Sequence, residues 1–327
     1  MAVKNLIDGV REAMHEEMAR DGRVVLLGED VGVRGGVFRA SEGLVGEFGE
    51  ERVIDAPLGE SGIVGVAIGM ALNGLRPIAE IQFADFIHPA FNQIVSEAAK
   101  IRYRSNNDFH VPMVIRAPFG GGVHGALYHS QSVEAFFMHV PGLKIVVPST
   151  PADAKGLLKS AVRDEDPVMF FEHKRTYRLV RGEIPDGDYT VPIGKARTVR
   201  EGKDLTIFAY GLMAVFAEQA AGELEKEGIS AEVIDLRTLL PLDRDAILSS
   251  IGKTHRGLVV YEANRTMGPG AEVAALIAEE ALYELDAPVR RLTGPDVPAM
   301  PFNTIQEEHF MPSPEKIAHA ARELLAS

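Results

Sequence analysis

The sequence predicts an α/β protein made of two doubly wound open-sheet domains. Short apolar runs alternate with segments of helical periodicity, the pattern of a parallel sheet covered on both faces. That rhythm breaks once, over Tyr177–Lys203, and then resumes. The length, 327 residues, is also more than one hydrophobic core ordinarily serves.

Taken in order, Asn5–Arg20 sets Leu6, Ile7, Val10, Met14 and Met18 on one helical stripe, and Arg23–Gly28 reads as a short buried strand. Ile63–Leu75 is a helix rich in Gly and Ala, suited to close packing against backbone. Pro77–Gln82 is a strand, Pro89–Arg104 a helix, and Pro112–Ala117 and Lys144–Val147 are strands. Helix Pro151–Arg163 and strand Pro167–Glu172 complete the first series. The turn signals Ile184-Pro185-Asp186-Gly187, Val191-Pro192 and Glu201-Gly202 then place a first domain at 1–185, a linker at 186–203 and a second domain at 204–327. The second series runs strand Leu205–Tyr210, helix Met213–Glu227, strand Ala231–Asp235 and helix Arg244–Ile251. Strand Gly257–Glu262, helix Ala271–Leu285, strand Val289–Leu292 and helix Pro314–Leu325 follow.

Composition excludes several function classes. The chain is 46% hydrophobic and 25% charged, ordinary for a globular protein. The absence of cysteine removes disulfides, thiolate metal sites and cysteine nucleophiles together. A net charge of −13 argues against nucleic acid as partner, since such a partner needs a basic face. An acidic surplus is ordinarily just solvated, although it also suits docking of a basic protein. The apolar stretches Val24–Leu27 and Val66–Leu72 fall well short of a membrane span, and the N-terminus carries no signal-peptide core. A cytoplasmic protein without a membrane partner is the expectation.

Four segments carry candidate chemistry. In Asp55-Ala56-Pro57-Leu58-Gly59-Glu60-Ser61-Gly62 a Glu opens a helix, where it is ordinarily a cap answering the helix dipole. Its neighbours Leu58, Ile63 and Val64 are apolar, so an ionised group there needs a hydrogen-bonding partner, such as a basic ring nitrogen. Phe119-Gly120-Gly121-Gly122-Val123-His124-Gly125 has the dinucleotide-loop spacing formally, but an apolar strand stands where the acidic ribose ligand is required. A loop placing His124 and His129 at a pocket rim explains it better, and no acid or third histidine completes a metal set around them. A lone His is more often structural, yet His129 is flanked by Ser130 and Gln131 and follows the run of glycines. Finally, Gln82, Asp85 and two aromatics, Phe83 and Phe86, stand beyond a strand end, where open α/β sheets bind ligands. A packed aromatic pair is the plainer alternative.

Together these segments resemble the beta subunit of the thiamine-diphosphate-dependent decarboxylating component of 2-oxo acid dehydrogenase complexes. The resemblance rests on Gly28-Glu29-Asp30-Val31-Gly32, Ala56–Gly62, Ala79–Asp85 and Gly125–Gln131. Asp153–Leu158 and Val233–Thr238 add to it, and it spans nearly the whole chain. It implies a pyrimidine-binding thiamine-diphosphate domain followed by a transketolase C-terminal-like domain. By position, Glu60 matches the glutamate on the aminopyrimidine ring nitrogen, whose carboxylate favours the imino tautomer that activates the cofactor. His129 matches the active-site histidine of acyl transfer to a lipoyl group. Leu58, Gln82 and Phe86 match the lining of the aminopyrimidine pocket, and Phe86 stands where some branched-chain members have Tyr. Members also hold a structural monovalent cation, such as potassium, largely by backbone carbonyls. The matching positions are Met113, Ala161, Val162, Asp164 and Asp166.

The Gly-Asp-Gly motif that holds the diphosphate metal is missing. Asp186-Gly187-Asp188 is the nearest stretch and lies in the expected linker. The resemblance therefore implies that an alpha subunit holds the magnesium and shares the thiamine diphosphate, in an α2β2 heterotetramer bound to a lipoyl acyltransferase core. The blocks at Ile81–Asp85 and Gly125–His129 look more like branched-chain members, while pyruvate and acetoin enzymes share much of the sequence. A C-terminal portion of a single-chain synthase and a non-catalytic scaffold of the same fold are the other readings. The N-terminal helix and two-domain length argue against the first, and Glu60 with His129 against the second.

Overall fold

The computed structural model describes residues 2–327 and divides into two compact units. The first unit runs to Phe119 and resumes over Phe136–Ile193; the second comprises Gly120–Ala135 and Gly194–Ser327. The stretch Gly120–Ala135 thus folds with residues far along the chain, a grouping that no local pattern signals.

In the first unit the strands are β1 (Ala2–Asn5), β2 (Val24–Gly28), β3 (Val53–Asp55), β4 (Arg76–Glu80), β5 (Val114–Phe119), β6 (Lys144–Val146), β7 (Val168–His173) and β8 (Arg181–Ile184). Six of them lie in the order β6-β7-β5-β4-β2-β3 and pair in parallel. β2, β5 and β7 are buried along their whole length, as a sheet covered on both faces requires. Strands β1 and β8 form a separate antiparallel ribbon that the sequence reading left unassigned.

Helix α1 (Leu6–Arg20) is capped by a reciprocal box in which Asn5 accepts from the Asp8 N–H and Asp8 from the Asn5 N–H. It packs on the helix Pro151–Arg163, whose N-terminus is capped by Thr150 with Pro151 in the first turn. Gly9 is needed at that crossing, because a Cβ there would lie 2.4 Å from the Pro151 carbonyl. Leu6, Val10, Met14, Leu157 and Leu158 join Leu26, Ile78 and Phe170 of the sheet in one core.

Several expected elements differ; the helix expected over Ala271–Leu285 is observed as Pro269–Glu280 with a separate 3₁₀ turn at Leu282–Glu284. Pro89–Arg104 is not one helix but a 3₁₀ turn at His88–Ala90, a π-helical turn at Gln93–Ala98 and a short helix Ile101–Arg104. The Gly-rich helix begins three residues earlier than its periodicity suggests, at Glu60, and runs to Leu72.

The second unit has a five-stranded sheet. Its members are β9 (Arg197–Arg200), β10 (Leu205–Ala209), β11 (Ala231–Asp235), β13 (Gly257–Asn264) and β14 (Arg290–Gly294), with β12 (Thr238–Leu240) a further short strand. The order is β14-β13-β10-β11-β9, parallel except for the antiparallel edge β9. β9 lies within the stretch expected to be linker; the arginines at its two ends suit an edge strand. Helices Leu212–Lys226 and Pro314–Leu325 bury Leu212, Phe216, Leu224, Ile317 and Leu324 against Ile207, Val233 and Val260. No helix of the described residues is long and apolar enough to cross a membrane.

Candidate active site

In the first unit, β2, β3 and β4 end side by side, and the residues just past them form one polar group. Glu29 follows β2. Its carboxylate accepts the Gly59 N–H at 3.3 Å, and its carbonyl accepts the Gln82 side-chain amide at 3.3 Å. Partial burial pushes the Glu29 carboxyl up from its ordinary value, and the negative charges of Glu60 and Asp30 push it further. The structure therefore brings Glu60, Gln82 and Glu29 together; Glu29 stood in a matching block but was not singled out as a site residue.

Glu60 is the first residue of its helix, behind Gly59, and is half-buried. Its side chain has no hydrogen bond or ion pair among the described residues. The apolar surroundings expected for it are only partly present. Ile63 and Val64 are buried in the core, whereas Leu58 is 84% exposed. Phe86 packs edge-on against Phe83 at 5.7 Å between ring centres, and Phe83 in turn meets Phe38 at 5.3 Å. These aromatics make the partly apolar wall that a planar ring can lie against, while Glu60, Glu29 and Gln82 supply carboxylates and an amide. That donor set suits an aminopyrimidine, which offers a ring nitrogen and an exocyclic amine.

The five positions matched to a monovalent cation lie together in the same unit, but their atoms have other partners. The Arg76 guanidinium donates to the carbonyls of Val162 and Asp164, both at 2.9 Å. The Met113 carbonyl accepts the Val168 N–H at 3.0 Å, and the Ala161 carbonyl the Asp164 N–H. Lys144 donates to both carboxylate oxygens of Asp164 at 2.7 Å and stands 3.4 Å from Asp166, which also binds Arg102 at 2.7 Å. Burial works against the Asp166 charge, yet Arg102 and Lys144 hold its carboxyl below the ordinary value.

His129 lies in the second unit, on the loop Gly120–Ala135. The loop turns through positive φ at Gly120, Gly122, His124 and Ala126. Gly125 has no room for a side chain: a Cβ would lie 2.7 Å from the His129 carbonyl and 2.8 Å from its Cβ. Buried carboxylates hold the loop from outside it. Glu307 accepts the N–H groups of Gly122 at 2.9 Å and His124 at 3.3 Å, and its other oxygen lies 2.7 Å from His124 Nδ1. Glu262 accepts the Gly121 N–H and the Ser132 hydroxyl. At the far end Tyr210 donates to Glu134 at 2.6 Å. Burial, with a smaller contribution from the charge of Glu262, pushes the Glu134 carboxyl up to about 7. His124 is thus a fastening point of the loop, while His129 is half-buried near its tip. Glu262 and Glu307 escape sequence reasoning because they lie well over a hundred residues from the loop they hold.

The two units are those of the transketolase class. Residues 4–180 match the transketolase pyrimidine binding domain and residues 194–317 the transketolase C-terminal domain. A solved chain described as a split-gene transketolase, an inactive beta4 tetramer, superposes with a TM-score of 0.80 at 25% identity, covering 98% of both chains. Over 99% of both chains the protein is 63% identical to the 2-oxoisovalerate dehydrogenase subunit beta of Bacillus subtilis. It is 49% identical to the pyruvate dehydrogenase E1 component subunit beta of the same organism, again over 99% of both chains. A mitochondrial 2-oxoisovalerate dehydrogenase subunit beta 2 of Arabidopsis thaliana is 50% identical over 97% of this chain and 88% of its own. The chain belongs to the beta subunits of the thiamine-diphosphate-dependent 2-oxo acid dehydrogenases.

Proposed function

We propose that the chain is the beta subunit of a branched-chain 2-oxo acid dehydrogenase, active only with an alpha subunit in an α2β2 assembly on a lipoyl acyltransferase core. The observation that carries this reading is the half-buried, unpartnered Glu60 carboxylate beside Glu29 and Gln82 at the strand ends. When bound, thiamine diphosphate supplies the nucleophilic carbon that decarboxylates the 2-oxo acid. Glu60 would accept a hydrogen bond from the aminopyrimidine ring and hold a proton on its nitrogen. Gln82, through its amide, and Phe86, through its aromatic surface, would help hold the ring. Leu58, bare in this chain, completes an apolar wall once a second chain covers it.

His129 serves the later step, exchanging a proton where the acyl group passes to lipoyl sulfur. Magnesium and the diphosphate belong to the alpha subunit. The sequence lacks the Gly-Asp-Gly motif that would hold the diphosphate metal. The branched-chain preference is supported by the 63% identity to a 2-oxoisovalerate enzyme against 49% to a pyruvate enzyme.

The test is co-expression with the alpha subunit, followed by decarboxylation with an artificial electron acceptor and, separately, acylation of a lipoyl domain. Glu60→Gln keeps the shape and removes the charge, so both rates fall at least about 100-fold, about 3 kcal/mol of barrier. His129→Ala lowers lipoyl acylation more than the artificial-acceptor rate. Equal losses in both assays for His129→Ala would assign it to cofactor or substrate orientation instead. Faster turnover of pyruvate than of 2-oxoisovalerate would overturn the substrate assignment and leave the rest standing.

A further inference from the structure

We propose that this chain has replaced the family's structural monovalent cation with its own side chains, and that potassium neither binds nor stabilises it at residues 161–166. Two of the carbonyls that would face such an ion, Val162 and Asp164, already accept the Arg76 guanidinium at 2.9 Å. Arg76 is pinned there by a further ion pair to Glu165. The carboxylates are engaged in the same way. Lys144 bridges both oxygens of Asp164 and reaches Asp166, and Arg102 takes the remaining Asp166 oxygen. The Asp166 N–H also returns to the Asp164 carboxylate at 2.9 Å.

Charge decides between the two arrangements. Asp164, Glu165 and Asp166 contribute three negative charges, and Arg76, Lys144 and Arg102 contribute three positive ones within ion-pair distance. His110 stands 3.9 Å from Glu165 and, when protonated, only adds to the positive side. The corner is neutral as it stands. A potassium ion entering it would be repelled by two or three cations, and no carboxylate is left over to compensate. The ammonium of Lys144 is similar in charge to the ion and already sits against the oxygens that would bind it. The tether also removes the entropy cost of capturing an ion from solution.

Lys144 precedes the buried residues Ile145 and Val146, and Arg76 opens β4. The cationic corner thus joins the start of two sheet strands to the C-terminal end of the helix Pro151–Arg163. This is a structural tie, remote from any reacting group.

The experiment is thermal unfolding of the full-length chain in potassium chloride and in tetramethylammonium chloride at equal ionic strength. The wild-type midpoint should be the same in both salts within about 1 °C, where a bound, stabilising ion worth even 1 kcal/mol would raise it by about 2–4 °C. Lys144→Met should lower the midpoint by several degrees in tetramethylammonium chloride and regain part of that loss in potassium chloride. A potassium-specific rise of several degrees in the wild type would overturn the proposal. So would a Lys144→Met chain whose loss potassium does not touch. If the variant does not fold, the wild-type comparison decides alone.

Discussion

Glu134 offers the sharpest test of the loop's electrostatics, because its burial penalty has a definite sign and pH window. The residue is fully buried and accepts the Tyr210 hydroxyl at 2.6 Å. Burial raises its carboxyl to about 7 from an ordinary value of 4.5. Below pH 4.5 both folded and unfolded chains hold the proton and the group contributes nothing. Between 4.5 and 7 the unfolded chain releases the proton while the folded chain keeps it, so stability falls as pH rises. Above 7 the whole cost is present, about 3 kcal/mol from two and a half pH decades. Glu134→Gln keeps an oxygen for Tyr210 and cannot ionise, so it escapes this cost. By calorimetry the variant should melt about 6–12 °C above the wild type at pH 8, with about a quarter of that gap left at pH 5. An equal gap at both pH values, or none at pH 8, would show that Glu134 does not titrate in this way.

Two further substitutions probe the scaffold around the sites. Arg116 is fully buried between Glu80 and Glu172, with Tyr177 also donating to Glu172. Arg116→Met strands two buried carboxylates, and urea unfolding should show a loss of about 3–5 kcal/mol; a loss under about 1 kcal/mol would refute the network's role. Glu307→Ala removes the acceptor for the Gly122 and His124 N–H groups. Amide exchange at those two residues should then accelerate at least about 10-fold, whereas unchanged exchange would mean the loop holds itself.

The elements that read correctly from sequence are those whose ends are fixed by neighbouring residues. Pro151–Arg163 and Pro314–Leu325 begin where a Thr or Ser cap precedes a proline, and both end as expected. Ala231–Asp235 is an apolar strand bounded by turn residues and is observed over the same span. The failures share a cause of the opposite kind. The π-helical turn at Gln93–Ala98 has no signature in side-chain periodicity, which fits a continuous helix equally well. β9 becomes a strand only because β11 is there to pair with it. The loop Gly120–Ala135 is positioned by Glu262, Glu307 and Tyr210, so its grouping with the second unit is a tertiary fact. Leu58 reads as apolar lining, yet it is 84% exposed in this chain.

How the chain treats its carboxylates separates structure from function more sharply than any motif does. Glu80 and Glu172 share Arg116, Glu262 and Glu307 accept glycine N–H groups, and Asp164 and Asp166 are bound by Lys144 and Arg102. Each is a negative charge removed from water whose desolvation cost is offset by a donor supplied within the same unit. Glu60 is half-buried and set close enough to Glu29 for its charge to be felt there, yet no donor of the described residues answers it. At the first turn of its helix the Glu60 charge has the dipole in its favour, but a Gln in its place would relieve the repulsion with Glu29 at no cost in packing. A cost that a one-atom change would remove, kept beside an amide and an aromatic wall, is the form expected of a group held ready for a ligand's proton.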